Sequence, residues 1–289
     1  MSEVKQAPGV PEHLSPRVAR LLAGNASPYT YTGTQTYLVG EREIAVIDPG
    51  PAYEQHVEAV VAALAGRPLV AILCTHTHRD HSPAAALLKA RTGAPIVGCA
   101  PLAFEDLGPR ADAAFDRDYA PDQVLADGEA VTGDGWTLRA VATPGHTSNH
   151  LCFALEEESA LFSGDHVMGW STTVIAPPDG NMTQFMASLD TLMARDDRIY
   201  YPAHGDPVTN PHRFVRSLAG HRRQREGQIL RLVGEGVRRI EDLVAHMYVG
   251  LDPRLIGAAE RSVLAHLIDL EARGLVAEEA GEWRPRAQG

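Results

Sequence analysis

The apolar run LVAILC ends at Cys74 and is followed at once by the polar string THTHRDHS, residues 75–82. Three histidines and one aspartate lie within six consecutive positions of that string, namely His76, His78, Asp80 and His81. A short apolar run predicts a buried strand, and α/β proteins place functional side chains in the loops after such strands. The fold must therefore hold a cluster of metal-ligand side chains at a strand end.

Strand and helix patterns alternate around this loop. Residues 36–48, TYLVGEREIAVID, predict a hairpin that closes in the turn Asp48-Pro49-Gly50. Apolar side chains recur at helical spacing over 57–64, just before the LVAILC strand. A helix over about 83–91 and the strand PIVG follow. This part of the chain is predicted to be α/β.

The second half is predicted to contain short strands and then helices. WTLRAVAT, LCFALEE and SALFSGD, between Trp136 and Asp165, predict strands, and RIYYP predicts another. An apolar stripe over 182–193 predicts a core helix, and a long helix begins near Pro211. We therefore predict a catalytic domain over 1–210, a basic linking helix over 211–238 and a small helical tail over 239–289.

Composition limits the function and the location. The net charge is −11, which argues against general binding of nucleic acids, because their affinity depends first on neutralising phosphates. No run of about 18 apolar residues predicts a membrane span, and the N-terminus has no signal-peptide pattern. The three cysteines have no CxxC spacing and indicate reduced, buried thiols. We expect a cytoplasmic protein without a membrane partner.

Three further loops at predicted strand ends each carry a strong ligand: His146 in TPGHTSNH, Asp165 in FSGDH and His204 in YPAHGD. Imidazole nitrogen and carboxylate oxygen suit zinc, and a bridging carboxylate can hold two ions close together. The sequence thus predicts a binuclear site, and we expect two zinc ions in it. Manganese and iron accept the same ligands and could replace zinc.

The ordered pattern HxHxDH, then His146, Asp165 and His204, resembles the metallo-β-lactamase superfamily. The resemblance implies an α/β fold, an αββα sandwich, followed here by a winged-helix-like tail similar to the lactamase-β-2-like branch. It also implies a metal-ligand set of His76, His78 and His146 for one ion, Asp80, His81 and His204 for the other, with Asp165 bridging.

Further roles are predicted for residues near these ligands. Asp80 is expected to be both a ligand and the catalytic base that receives the proton after attack. Asp48 is expected to orient a ligand without binding metal. His150 and His166 flank ligands and either line the pocket or point to the opposite face of a strand. Met168 and Trp170, which follow Asp165, either contact substrate or pack in the core.

Three functions remain open at this stage. The first is hydrolysis of a small ester, thioester or lactone. The second is a metal-dependent ribonuclease, because residues 211–238 carry a net charge of +5 and Arg222, Arg223 and Arg225 could bind phosphates. The third is a metal-binding regulator with a DNA-binding tail, although residues 239–289 are net acidic. Antibiotic hydrolysis is not expected, since lactamases of the superfamily generally lack the bridging aspartate.

Overall fold

A computed structural model describes residues 6–102 and 115–286 of the chain. These residues form two compact units. The larger unit is built mainly from the chain up to Pro211, and the smaller one contains 172–195 and the chain from His212 onward. Among the described residues, no helix combines the length and apolar character needed to cross a bilayer.

The first sheet of the larger unit has seven strands in sequence order. Its first four strands are antiparallel, and the strands from the fourth to the seventh are parallel. The strands are β1 (Glu12–His13), β2 (Val18–Leu22), β3 (Gln35–Val39), β4 (Ile44–Ile47), β5 (Leu69–Cys74), β6 (Ile96–Gly98) and β7 (Gln123–Val124). Every residue of β2, β3 and β4 is buried, and this burial suits the continuous apolar sequence IAVI of β4.

Parallel pairing of β4, β5 and β6 requires crossover connections, which two helices supply. Helix α1 (Glu54–Leu64) buries Val57, Val60 and Leu64 and ends at Ala65 in a left-handed conformation. Helix α2 (Ala84–Thr92) buries Leu88 and ends at a left-handed glycine, Gly93.

The second sheet has five strands in the order β12-β11-β10-β9-β8. All its pairs are antiparallel except β11 and β12, which are parallel. The strands are β8 (Ala130–Gly133), β9 (Trp136–Ala142), β10 (Leu151–Leu155), β11 (Ala160–Gly164) and β12 (Ile199–Pro202). Strands β9, β11 and β12 therefore run in the same direction, and their carboxyl ends lie at the same edge of the sheet.

One hydrophobic core joins the two sheets of the larger unit. It contains Leu38 and Leu73 from the first sheet together with Leu138 and Phe162 from the second. Tyr37 crosses this core, because its ring lies edge-on to Phe162 at 5.0 Å and its hydroxyl donates to a main-chain carbonyl of β12 at 2.7 Å. The larger unit is thus a two-sheet sandwich.

The smaller unit is mainly helical and has its own core. Its helices are α3 (Met182–Met193), α4 (Pro211–Gly234), α5 (Ile240–Met247) and α6 (Ile256–Ala272), and its hairpin is β13 (Val276–Glu279) and β14 (Glu282–Pro285). Asn181 caps α3 by accepting from the Gln184 N–H. Ile229, Leu243, Leu267 and Trp283 pack together and join α4, α5, α6 and the hairpin.

Most predicted elements are present, and the differences have clear causes. The LVAILC strand and the helix over 182–193 have the predicted bounds, and Gly274 lies in a left-handed conformation before the hairpin of β13 and β14. The sequence analysis missed β2, because its buried VARLL carries Arg20 in the middle. That arginine pairs with Glu12 of β1 at 2.9 Å. All three cysteines are buried and free, as predicted.

The basic helix only partly forms a solvated face. Arg213, Arg216, Arg223 and Arg231 are exposed. In contrast, Arg222 is 4% exposed, donates to the Thr173 carbonyl and lies over the Phe185 ring. Arg225 lies over Tyr248 at 4.5 Å. The expectation that Arg222 offers its charge to a phosphate is therefore wrong, because this side chain packs inside the smaller unit.

We expect Arg222→Ala to lower the free energy of unfolding by about 2 kcal/mol, because it leaves a cavity and a buried carbonyl without its donor. Arg223→Ala removes the same charge from an exposed position and should change stability by less than about 0.5 kcal/mol. Urea unfolding of both variants measures the difference. Equal losses would contradict the packing role of Arg222.

A second prediction concerns His266, which is 3% exposed in α6. Burial, followed by the positive charges of Arg222, His221, Arg273 and Arg225, lowers the pKa of His266 from 6.5 to about 3. Between these values the unfolded chain binds a proton that the folded chain does not, so stability falls as pH falls through this window. Relative to the wild type, the free energy of unfolding of His266→Leu should therefore rise by up to about 1.4 kcal/mol for each pH unit below 6.5.

Urea unfolding at pH 7, 6 and 5 checks this prediction. His246→Leu serves as the matched control, since His246 is exposed on α5. A stability difference between His266→Leu and wild type that stays constant with pH would contradict it.

Candidate metal centre

The candidate metal ligands, and Asp48 beside them, follow strands whose carboxyl ends lie at one edge of each sheet. Asp48 follows β4 and His76 follows β5, and these two strands are parallel neighbours. Asp165 follows β11 and His204 follows β12, and these are parallel neighbours in the second sheet. His146 follows β9, which runs in the same direction as both. Sheet direction therefore explains why residues far apart in sequence converge.

The structure places the seven predicted ligands in two clusters. The first contains His76, His78, His146 and Asp165, all buried, and the second contains Asp80, His81 and His204. In each cluster the possible ligand atoms lie within 4.8 Å of one another. In the first cluster, His76 Nε2 is 2.9 Å from His78 Nδ1.

The carboxylate of Asp80 organises the second cluster. Its Oδ2 lies 3.3 Å from His81 Nε2 and 3.1 Å from His204 Nε2. The Thr34 hydroxyl donates to the same oxygen at 3.3 Å. The side chain of Asp80 is 27% exposed, whereas those of His81 and His204 are 0% and 1% exposed. Asp80 is therefore the group of this cluster that meets solvent.

Asp165 connects the two clusters. It belongs to the first, yet its Oδ1 lies 3.6 Å from His81 Nε2 and 3.3 Å from His204 Nε2 in the second. A carboxylate has two oxygens and can bind two ions at once. The position of Asp165 is the one that a bridging ligand requires.

Hydrogen bonds on the far side of the rings fix how the histidines point. The carboxylate of Asp48 lies 3.0 Å from His81 Nδ1, as predicted for an orienting group, and also accepts from the Thr75 N–H and hydroxyl at 2.8 Å. His204 Nδ1 contacts the Gly33 carbonyl at 3.2 Å, and His146 Nδ1 contacts the Val174 carbonyl at 2.8 Å. In all three rings Nδ1 makes the outer contact, and Nε2 is the nitrogen that faces the cluster.

The pKa values reflect opposite charges packed together. Burial alone would raise the pKa values of Asp80 and Asp165, but His81 and His204 lower both well below the usual range. Burial would likewise lower the pKa of His204, yet Asp165 and Asp80 raise it to about 10. The same carboxylates, with Asp48, raise the pKa of His81 well above its usual value. The carboxylates are thus held ionised.

The donor set fits metal ions. Buried imidazoles and ionised carboxylates converge with several nitrogens and oxygens within 4.8 Å, although ionised groups are costly to bury without compensation. Imidazole and carboxylate are the ligands of zinc, manganese and iron sites. Divalent cations bound in the two clusters would compensate the negative charge of the buried carboxylates.

Other predicted neighbours take structural positions. His150 is 1% exposed and its Nε2 accepts from the Asp165 N–H at 3.2 Å, so it orients the backbone at Asp165. His166 is fully buried and Met168 is 5% exposed, which places both in the interior. Trp170 is 37% exposed.

The sequence analysis missed Thr34, Gly33 and Val174. The last two act through main-chain carbonyls, which leave no side-chain signal in a sequence. Thr34 is separated from Asp80 by 46 positions, and only folding brings the two together.

Comparison with known proteins agrees with this geometry. A model of the metallo-beta-lactamase superfamily matches residues 29–204, and a model of the beta-lactamase associated winged helix domain matches residues 240–283. The chain belongs to the metallo-beta-lactamase superfamily and is a metal-dependent hydrolase with a winged-helix region at its C-terminal end. The predicted family, fold class and enzyme class are confirmed.

Individual relatives carry more specific names than the family model. The atrochrysone carboxyl ACP thioesterase of Aspergillus fumigatus is 33% identical over 238 residues, covering 79% of this chain and 69% of the relative. A protein of the same name from Aspergillus chevalieri is 34% identical over 243 residues, covering 81% and 72%. The solved structure of a beta-lactamase domain protein from Burkholderia ambifaria has a TM-score of 0.83 at 20% identity, covers 98% and 96%, and shows the shared fold.

We expect Asp48→Asn to weaken metal retention about 10- to 100-fold, because His81 loses the acceptor that orients its ring. Metal content after challenge with graded chelator concentrations measures the change. Asp134→Asn is the control, since Asp134 pairs with Arg42 at the surface and belongs to neither cluster. Unchanged metal retention in Asp48→Asn would contradict the orienting role.

Proposed function

We propose that the protein is a binuclear metal-dependent thioesterase that hydrolyses small acyl thioesters. The position of Asp165, within reach of both clusters, carries the binuclear part of the proposal. The two Aspergillus relatives named as ACP thioesterases, each matched over more than two thirds of both chains, favour a thioester among the predicted esters, thioesters and lactones.

The proposed ligand set follows the two clusters. His76, His78 and His146 hold one ion, and Asp80, His81 and His204 hold the other. Asp165 bridges them. The donors suit zinc, and manganese or iron would find the same ligands.

Bound ions would supply a water of lowered pKa and a positive charge against the negative charge that develops on the thioester carbonyl oxygen. The protein provides the rest. His150 accepts from the Asp165 N–H and so orients the backbone at Asp165. Asp80, which is the partly exposed side chain of the second cluster, accepts the proton released on attack. The thiol leaves readily without a strong acid, because its ordinary pKa is about 8.5.

The ribonuclease and DNA-binding alternatives have less support. Arg222 is buried, and the half-buried Arg225 packs over Tyr248, so neither is a freely exposed phosphate contact. Residues 239–289 hold more acidic than basic side chains, and a DNA-binding face needs positive charge. The small-molecule thioester remains the favoured substrate.

The test is hydrolysis of short acyl thioesters by zinc-, manganese- and iron-loaded protein. Asp80→Asn, assayed with enough metal to load both clusters, should lower kcat by about a thousandfold while the fold persists, because the proton acceptor is lost. Metal analysis confirms the loading and circular dichroism confirms the fold. Near-normal turnover by a metal-loaded Asp80→Asn protein would refute the role of Asp80.

Metal analysis also tests the bridge. Fully loaded protein should contain close to two ions per chain, and Asp165→Ala should weaken the binding of both. Loss of one ion with the other undisturbed would count against bridging. Penicillins and carbapenems are the comparison substrates, and efficient turnover of either would overturn the thioesterase proposal.

A further inference from the structure

Two exposed aromatic rings stack on each other in the larger unit. The rings of Tyr31 and Trp170 are 4.9 Å apart at their centroids and 12° from parallel. Tyr31 is 51% exposed and Trp170 is 37% exposed, whereas Trp136 and Trp283 are 1% and 5% exposed. Large aromatic side chains usually bury their area, so an exposed stack marks a surface for recognition.

The loop that carries Tyr31 is tied to the metal centre. Two residues after Tyr31, the Gly33 carbonyl contacts Nδ1 of His204 at 3.2 Å. One residue later, the Thr34 hydroxyl donates to Asp80 at 3.3 Å. Tyr31 is therefore attached, through adjacent residues, to two of the three side chains of the second cluster.

The segment that carries Trp170 is tied to the same histidine. The Gly169 N–H donates to the His204 carbonyl at 2.8 Å. Gly205 packs so closely that a Cβ there would lie 3.1 Å from the Cβ of Trp170. Tyr31 and Trp170 therefore each lie within two positions of a residue that contacts His204, which places the stack near the second cluster.

The backbone at Tyr31 is held in an unusual conformation. Its φ of 56° is in the left-handed region, which is unfavourable for a side chain of this size. Hydrogen bonds hold the turn before it, since the Thr30 hydroxyl donates to the Asn25 carbonyl at 2.6 Å and the Ser27 hydroxyl accepts from the Tyr29 and Thr30 N–H groups at 3.1 Å. Such strain is concentrated at functional sites, where a side chain must point in one direction.

We propose that Tyr31 and Trp170 form the acyl-binding platform of the enzyme, and that it selects a flat, unsaturated acyl group over a saturated one of equal size. The inference rests on the proposed thioesterase function. Aromatic faces attract the edges and offset faces of other π systems beyond simple burial of area, whereas a saturated ring lacks this additional π–π attraction. The platform would hold the acyl group while its carbonyl reaches the metal centre.

The charge near the platform offers little to a nucleotide. Asp206 follows Gly205, its side chain is 87% exposed, and its carboxylate lies 3.9 Å from the Arg20 guanidinium. Because Asp206 offsets the charge of Arg20, a phosphate would gain little here, although nucleobases also stack on aromatic rings. Single-stranded RNA is therefore the competing ligand in the test.

The experiment compares pantetheine thioesters of 2-naphthoate and decahydro-2-naphthoate, which share the leaving group and the carbon skeleton. Wild-type kcat/KM should favour the naphthoyl thioester at least tenfold. Trp170→Leu and Tyr31→Ala should reduce this preference to less than threefold, whereas Trp170→Phe and Tyr31→Phe should retain most of it. Tyr53→Ala is the matched control, because Tyr53 is a 50% exposed tyrosine outside the platform, and it should keep the preference.

Calorimetric binding of 2-naphthoate provides a readout independent of turnover. Trp170→Leu should weaken the binding of 2-naphthoate at least tenfold more than the binding of decahydro-2-naphthoate. Wild-type protein without a naphthoyl preference, or variants that lose both substrates equally, would overturn the platform. RNA binding that depends on Trp170 and displaces 2-naphthoate would overturn it in favour of a nucleobase site. If metal-loaded protein hydrolyses neither thioester, the thioesterase proposal fails, and the naphthoate binding comparison still decides the platform.

Discussion

The buried carboxylate of Asp48 is the interaction on which the site depends. It accepts from the N–H and hydroxyl of Thr75 and contacts His81 Nδ1, and its side chain is 2% exposed. These contacts join the turn after β4 to the loop after β5. Because a polar group is costly to bury without hydrogen bonds, the arrangement is stable only when every partner is in place. One buried carboxyl group thereby fixes both the loop path and the direction of the His81 ring.

The rest of the centre repeats this arrangement with other partners. His204 is oriented by a carbonyl at Gly33 and His146 by a carbonyl at Val174. Each contact takes the outer ring nitrogen and directs Nε2 inward. The same contacts extend outward, since Gly33 and Gly169 both meet His204 and hold the segments that carry Tyr31 and Trp170. The second cluster and the proposed acyl-binding platform are therefore linked through His204.

The smaller unit illustrates how a charge pattern can mislead. The seven arginines over 211–238 could indicate a phosphate-binding surface. The structure uses Arg222 to bond the Thr173 carbonyl and cover Phe185, and it places Arg225 over Tyr248. A guanidinium can serve packing as well as recognition, because its flat face contacts aromatic rings. Net charge along a helix does not reveal which face each arginine occupies.

The sequence by itself determined the α/β character, the strand LVAILC and the seven candidate metal ligands, because alternating hydrophobic periods and ligand-rich loops at strand ends are local patterns. Their grouping into two clusters required tertiary structure, since Asp80 and His204 meet only when two sheets pack. Carbonyl partners, the burial of Arg222 and the stack of Tyr31 on Trp170 were likewise decided by folding. Such contacts join segments far apart in the chain, and no local pattern encodes them.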